Sequence, residues 1–317
     1  MQGIARTITI NMDDVTSLVP LLADYHSHDF DIDVYIEEIK ATGKFTLPIE
    51  TTEYSDSDTA HWNSFYGRHK KGNFFKPRRY LSVEFSAYLS NLSPHSTVLE
   101  VGCGYGCSMF PLLERFQFNY IATDYSEVSL EVLRSHPTYD CIQHRCLVKQ
   151  WDVTQPFLRH EDDVLDHCSR CGVVGEISCI LCVFALSAIH PALHVDCLRN
   201  MKSLLVQSSG SGYSPINDND HKSDSTNHGD VGRRFILFRD YGLHDMTMYR
   251  HKIRYSDCFF RRTDGTLTYY FDLSYIRHLA EAVGLTVVEL QYATVRVENR
   301  KQSTIMHRVF VHAVLSL

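Results

Sequence analysis

Apolar residues in this chain come in short blocks, cut by glycine, proline and polar runs, and the blocks alternate between strand-like and helix-like spacing. Val98, Leu99 and Val101 form a compact apolar run between Pro94 and a glycine-rich stretch, the pattern of a buried parallel strand. Residues 107–116 (CSMFPLLERF) read as a helix and 120–124 (YIATD) as a second strand. In 126–136 (SEVSLEVLRSH), Ser126 is an N-cap candidate, and Val128, Leu130, Val132 and Leu133 follow at mostly helical spacing. Further strands are predicted at 146–152, 177–187 and 234–240, with a helix at 192–206 after Pro191. A helix at 273–284, ending on Gly284, precedes two strand-like runs at 285–297 and 307–315. Alternating strands and helices closed by a strand pair predict an α/β fold with a doubly wound sheet.

Two stretches break this pattern. Residues 1–58 form an N-terminal extension of weak periodicity and acidic runs, predicted to be partly disordered, with a short amphipathic helix at 31–40. Residues 207–232 have almost no apolar content and are rich in Ser, Asn, Asp and Gly. They cannot bury enough surface to offset their ordering entropy, which predicts a disordered surface insertion. Between the extension and the α/β domain (93–317) lies a basic, aromatic segment, 59–92.

Composition changes the picture only by exclusion. With 317 residues, 44% of them hydrophobic, the chain is long enough to bury a core without disulfides. Its ten cysteines are irregularly spaced and do not form a secreted framework. The N-terminal run lacks an apolar signal core, Asp13 and Asp14 argue against a transit peptide, and no apolar run reaches the roughly 18 residues of a membrane span. The expectation is a cytoplasmic protein, with a nuclear pool allowed, and no membrane attachment.

The chemistry concentrates at strand ends. Glu100-x-Gly102-x-Gly104-x-Gly106 follows the first strand, and Asp124 closes the second, where a carboxylate accepts both ribose hydroxyls of a nucleoside. A dinucleotide reader would carry Gly-x-Gly-x-x-Gly. The shorter spacing, led by an acid, suits an adenosine-bearing cation without phosphates, namely S-adenosylmethionine. Asp152 closes the third strand, placed to take an adenine amine, with the Val153 amide as donor beside it. Ser187 and His190 lie at the predicted carboxyl end of the fourth strand, and Arg239 and Asp240 at that of the fifth, the edge where open α/β sheets bind ligands. Against an active-site role, His190 precedes Pro191 and equally suits a loop residue capping the next helix. Should the methyl acceptor be a cytosine ring nitrogen, Asp240 near the exocyclic amine is a candidate to stabilise the positive charge that develops on transfer. The alternative for Arg239 and Asp240 is a pair that only fixes the loop. Cys168-x-x-Cys171 and Cys179-x-x-Cys182 resemble zinc half-sites, but residues three apart on a strand point to opposite faces, so no metal is expected.

The formal net charge is −7, yet six Lys or Arg fall in residues 68–79 among aromatics. Trp62, Tyr66 and their neighbours are suited to stack on bases or to cover a cofactor, and Lys70 and Lys71 to face phosphate. Basic groups recur at 249–254, 261–262 and 299–302, which makes Arg261 and Arg300, with Arg239 at the fifth strand's end, further candidates for contact with an RNA polyanion.

With these residues in place, the chain resembles the methyltransferase-like family that makes 3-methylcytidine in the anticodon loop of tRNA. The resemblance rests on ordered segments between residues 61 and 317: HWNSFYGRHKKGNFFKPRRYLSVEF, LEVGCGYGCSMFPLL, ATDYSEVSLEVLR, WDVT, VFALSAIHP, LFRDYGLHDMTMYR, FFRRTDGTLTYYF and NRKQSTIMHRVFVHA. It implies a class I, Rossmann-like methyltransferase fold with a mostly parallel seven-stranded sheet, and S-adenosylmethionine as cofactor. It implies cofactor contacts at Trp62, Tyr66, Gly102, Asp124, Asp152, Val153 and Val183. Lys76 and Arg78 match an FFK-x-R element that serves the cofactor lid and the tRNA. The substrate implied is tRNA, not DNA, and some members need an aminoacyl-tRNA synthetase or another specificity partner. Pro77 and Arg79 depart from the usual element, and the polar insertion replaces the usual turn before the fifth strand. Two other readings stay open: a catalytically silent RNA- or synthetase-binding module on the same fold, and a methyltransferase for small molecules or proteins.

Overall fold

The structure, a computed structural model, describes residues 25–43, 46–47, 51–54, 61–69, 72, 74–157, 177–207, 234–299 and 304–317. The predicted insertion, apart from Gln207, lies outside these residues, as do 1–24, Cys168, Cys171, Lys70, Lys71 and Arg300.

A seven-stranded sheet runs in the order β3-β2-β1-β4-β5-β10-β9. The strands are β1 (Thr97–Val101), β2 (Asn119–Asp124), β3 (Cys146–Gln150), β4 (Ile177–Val183), β5 (Phe235–Tyr241), β9 (Thr286–Asn299) and β10 (Thr304–Ser316). The first five are parallel, and β10 returns antiparallel to both β5 and β9. Every residue of β1 is buried, as its apolar run requires of a strand covered on both faces. Alternation divides the core: Leu99, Val101, Ile180 and Cys182 pack on one face, and Val98, Cys179, Leu181 and Val183 on the other. Cys179 and Cys182 thus point away from each other, as their spacing on a strand demands.

In chain order the α-helices among the described residues are α1 (Ile32–Thr42), α2 (His61–Arg68), α3 (Leu81–Glu84), α4 (Ser86–Leu89), α5 (Met109–Arg115), α6 (Glu127–Arg134), α7 (Tyr139–Ile142), α8 (His194–Gln207) and α9 (Leu273–Ala282). Ser126 caps α6 by accepting the Ser129 N–H, and Gly284, with φ +67°, follows the end of α9. Helix α1 opens with Asp31 accepting the amides of Asp33 and Val34, and its Tyr35 and Ile39 pack with Val309 of β10. Just before it, Asp29 donates its N–H to the Thr294 carbonyl, and Thr294 donates to Ser27, so the segment lies along β9. None of the described helices is long and apolar enough to cross a membrane.

Two differences from the predicted elements matter for function. Strand β4 stops at Val183, three residues before the apolar run ends, because Phe184 takes φ +55° and Leu186–Ala188 wind into a 3-10 turn. Between β5 and α9 the chain also builds a separate three-stranded sheet of β6 (Ile253–Arg254), β7 (Phe259–Arg261) and β8 (Leu267–Tyr269). Its β7–β8 hairpin turns at Asp264 and Gly265, the latter at φ +94°.

Arg239 shows how the closing strands are held. It is 3% exposed and pairs with the equally buried Glu84 of α3 at 2.5 Å, under the rings of Tyr80 and Phe310. Glu84 also meets His312 Nδ1 at 2.9 Å, and His312 Nε2 reaches Glu289 at 2.9 Å. Arg239 is therefore no RNA contact. The Arg239–Asp240 pairing does not form: the partner of Arg239 is Glu84, 155 residues away along the chain, which leaves no local signal in the sequence.

Burial disfavours charge on His312, but hydrogen bonds to Glu289 and Glu84 overcome it and raise its pKa to about 8. Since that lies above the unfolded value of roughly 6.5, the stabilisation is complete below about pH 6.5 and lost as pH rises through 8, on the order of 2 kcal/mol. Urea denaturation of the wild type should show this fall, and His312→Gln should flatten it. An equally steep variant curve would show that another group titrates.

Candidate active site

The carboxyl ends of β1, β2 and β3 border a cavity of about 240 Å³. Its lining includes Gly102, Asp124, Asp152 and Val153 from this edge, with Trp62 and Tyr66 from α2. Trp62 and Tyr66 are four residues apart on a helix, so one face of α2 presents both rings, 5.7 Å apart. Helix α2 is itself seated on the hairpin turn: Arg68 donates to the Asp264 carbonyl at 3.2 Å, and a side chain on Gly265 would collide with the His61 ring.

The glycine loop is needed twice over. Gly102 and Gly104 hold φ +67° and +55°, which side chains rarely adopt. A Cβ on Gly102 would stand 2.7 Å from the Ala185 Cβ, and one on Gly104 2.7 Å from the Tyr66 hydroxyl. Asp124 ties this loop to β2. Its Oδ2 accepts the Gly104 N–H and its Oδ1 the Ser126 N–H, both at 2.8 Å. Burial raises its pKa against these bonds. Each oxygen keeps a lone pair, so the carboxylate can still receive two ribose hydroxyls.

Asp152 Oδ1 is occupied by the N–H and hydroxyl of Thr154, at 3.0 and 2.7 Å, while Oδ2 takes no hydrogen bond among the described residues. The Val153 carbonyl is held by Asn200 Nδ2 at 2.9 Å, and its N–H is unpaired among the described residues. A free carboxylate oxygen beside a free amide donor matches the amine and ring nitrogen of adenine. Two carboxylates and no described cation line this cavity, which suits a sulfonium ligand. The donor set fits S-adenosylmethionine, which supplies an electrophilic methyl group. Val183 does not border the cavity. It is buried in β4 and its carbonyl faces Arg78 Nη1 at 3.4 Å, while Phe184 and Ala185, beyond the early strand end, take the lining position.

A second cavity of about 390 Å³ shares Trp62, Tyr66, Gly102, Phe184 and Ala188 with the first. Ser187, Tyr241, Arg262, Arg308 and Phe310 also line it, as does exposed Lys76 at its rim. Arg78 turns inward instead of facing solvent. It donates to Ser108 Oγ at 3.0 Å, stands 4.0 Å from Glu100 and stacks 5.1 Å over Phe184.

Asp240 borders neither cavity and is fully buried. Its Oδ2 accepts the Ser187 N–H and its Oδ1 the Tyr241 N–H, both at 2.9 Å. Burial raises its pKa to about 6 despite these bonds. Its carboxylate is taken up by these two amides, and it holds the 186–188 turn. His190 lines the cofactor cavity, and its Nδ1 accepts the Ala192 N–H at 3.3 Å, the capping geometry that the following proline suggested. Arg261, half-buried at the end of β7, lines neither cavity, and its neighbour Arg262 does. The Asp264-Gly265 pair between aromatic runs was the overlooked hairpin signal that brings Arg262 inward.

A seven-stranded sheet with closing antiparallel strands and an adenosine-type cavity at the carboxyl ends of its first strands defines a Rossmann-like methyltransferase. A family model described as a methyltransferase domain matches residues 75–290. The fold aligns with a SAM-dependent methyltransferase from Anabaena variabilis ATCC 29413, with a TM-score of 0.56 and 11% identity over 85% of this chain and 99% of that one. In sequence, the chain is 31% identical over 284 residues to the tRNA N(3)-cytidine methyltransferase METTL6 of Homo sapiens, covering 87% of this chain and 86% of that protein. It is 27% identical over 275 residues to the tRNA N(3)-methylcytidine methyltransferase trm140 of Schizosaccharomyces pombe, covering 83% and 76%. The chain belongs to the tRNA N(3)-cytidine methyltransferase family.

Gly104→Ala should destabilise the fold by about 1–2 kcal/mol, the cost of a side chain in left-handed backbone, and should weaken cofactor binding by displacing the Tyr66 hydroxyl that lies 2.7 Å from the new Cβ. Calorimetric titration with S-adenosylhomocysteine measures this, and unchanged affinity would show that the loop does not contact the ligand. Asp240→Asn should lower turnover and cofactor affinity together, because Ala188 and Ile189 of the released turn line the cofactor cavity. Lost turnover at unchanged affinity would return Asp240 to the reacting centre.

Proposed function

We propose that this chain transfers the methyl group of S-adenosylmethionine to N3 of a cytidine in the anticodon loop of tRNA. The observation that carries the reading is the shared wall of Trp62, Tyr66, Gly102, Phe184 and Ala188, with acids on the cofactor side and cations on the other. The relatives' names support the base and the atom. One of them, the tRNA(Thr) (cytosine(32)-N(3))-methyltransferase of Saccharomyces cerevisiae, is 25% identical over 290 residues, although the match covers 40% of that protein.

N3 of neutral cytosine already carries a lone pair, so no residue of the chain need remove a proton from the base before it takes the methyl group that bound S-adenosylmethionine would supply. Catalysis then reduces to placement and exclusion of water, tasks for the aromatic wall and the turn that Asp240 holds. A nucleotide inside a stem or loop must leave its stack to reach this wall, and Phe184, Tyr241 and Phe310 offer replacement surfaces for its base. A specificity partner that selects the tRNA, an aminoacyl-tRNA synthetase or another protein, is part of this proposal.

Purified protein, labelled cofactor and total tRNA should yield labelled 3-methylcytidine by nucleoside mass spectrometry, with cell extract added to supply a partner. No label there under either condition would refute the reading. Turnover on tRNA should also fall at least about tenfold between 50 and 200 mM salt, as phosphate contacts are screened. Salt-insensitive turnover would indicate a small-molecule or protein acceptor.

A further inference from the structure

The acceptor cavity is unusual in its charge. Lys76, Arg78, Arg262 and Arg308 line it, and no Asp or Glu does among the described residues. Arg78 is compensated through its contacts with Ser108 and Glu100. Arg308 is paired with Asp245 through Nε, and Arg262 has no hydrogen-bonded carboxylate among the described residues.

Arg308 is fixed at its inner end, where Nε donates to Asp245 Oδ2 at 2.8 Å. The same oxygen accepts the Val309 N–H at 2.9 Å. Asp245 Oδ1 is spent on Thr247. The terminal nitrogens of Arg308 make no hydrogen bond among the described residues, and its guanidinium lies 5.1 Å over Phe310 and 5.9 Å over Tyr241. Arg262 lies 5.1 Å over the same Tyr241 ring. Its only hydrogen-bonded side-chain partner among the described residues is the neutral Thr268 hydroxyl at 3.3 Å. The nearby Asp264 carboxylate is turned to Thr266, whose amide and hydroxyl it accepts at 3.0 and 2.7 Å.

Two guanidinium groups are thus held on one aromatic ring. Arg308 is bonded to Asp245 through Nε alone, and Arg262 lies near Asp240 and Asp264 without a hydrogen bond to either among the described residues, so both keep N–H groups open to an arriving anion. Their free N–H forks match the oxygens of a phosphate, and the rings beside them match a base. We infer that Arg262 and Arg308 form a phosphate clamp in the acceptor cavity, so that the site takes a pyrimidine nucleoside together with its adjoining phosphate as one unit. The inference rests on the acceptor reading given above and adds to it the group that registers the nucleotide against the methyl donor. Arg262 and Arg308 are positioning residues: they act on the phosphate, away from the nitrogen that reacts.

The decisive measurement is binding of free cytidine 5′-monophosphate and of cytidine, by calorimetry or ligand-observed NMR, to the full chain saturated with S-adenosylhomocysteine. The monophosphate should bind at least about tenfold more tightly, a difference of roughly 1.4 kcal/mol. Arg262→Gln should remove that preference while leaving S-adenosylhomocysteine affinity unchanged, which also certifies that the variant is folded. Because loss of Arg308 strands Asp245, Arg308→Lys serves there, and it should reduce the preference in part. On tRNA, Arg262→Gln should raise KM more than it lowers kcat, and reduce the salt slope by about one phosphate contact. Equal affinities for cytidine and its monophosphate, no binding of either at the solubility limit, or a preference that survives Arg262→Gln would each overturn the clamp. Monophosphate binding through Arg262 in a protein that fails to label tRNA would leave the clamp standing and remove the tRNA reading instead.

Discussion

One carboxylate holds the cofactor side together. Asp124 ends β2 and accepts N–H groups from both the glycine loop and the start of α6. With it in place, Gly104 keeps its left-handed backbone, and Tyr66 can approach closely enough for its hydroxyl to lie where a side chain would be. Helix α2 is therefore seated on one side by the absence of a Cβ at Gly104 and on the other by its absence at Gly265. A binding wall built from α2 is possible only because two distant loops are stripped to backbone. The constraint also explains why an acid so thoroughly engaged with backbone remains useful to a ligand: each oxygen spends one lone pair on the fold and keeps one for a hydroxyl.

Charge is sorted on either side of that wall. Acids meet the cofactor cavity, and cations meet the acceptor cavity. The sorting is local, which is why a net charge of −7 says little about the substrate. Not every basic residue takes part. Arg239 is given over to the network through Glu84, His312 and Glu289 that binds α3 to β5, β10 and β9. Arg78 serves the wall from beneath, through Ser108 and the Phe184 ring. In a chain with aromatics this dense, an arginine that covers a ring and finds a partner is more useful inside than at the surface.

Much of the fold was legible in advance. The five parallel strands, the cap at Ser126, the helix ending near Gly284 and the closing antiparallel pair all follow from period, capping and glycine position. The opposed faces of Cys179 and Cys182 follow from strand parity alone. The hidden parts share a cause. Strand β4 ends early because Phe184 adopts a left-handed backbone, which its apolar sequence does not announce. The β6–β8 sheet is made of strands two or three residues long, too short to show a period, although the Asp264-Gly265 turn marks its hairpin.

The sequence by itself determined the class of sheet, the glycine loop with Asp124 opposite it, and the identity of the cofactor edge. These depend on local spacing, and local spacing is what a chain displays. Only the tertiary structure decided which arginines face a ligand and which are buried, where Asp240 stands, and that Phe184 and Ala185, not Val183, meet the cofactor cavity. Those outcomes rest on partners far apart along the chain, such as Glu84 with Arg239 and Asp245 with Arg308. The energy of burying a charge depends on the partner it finds, and a linear pattern does not contain that partner.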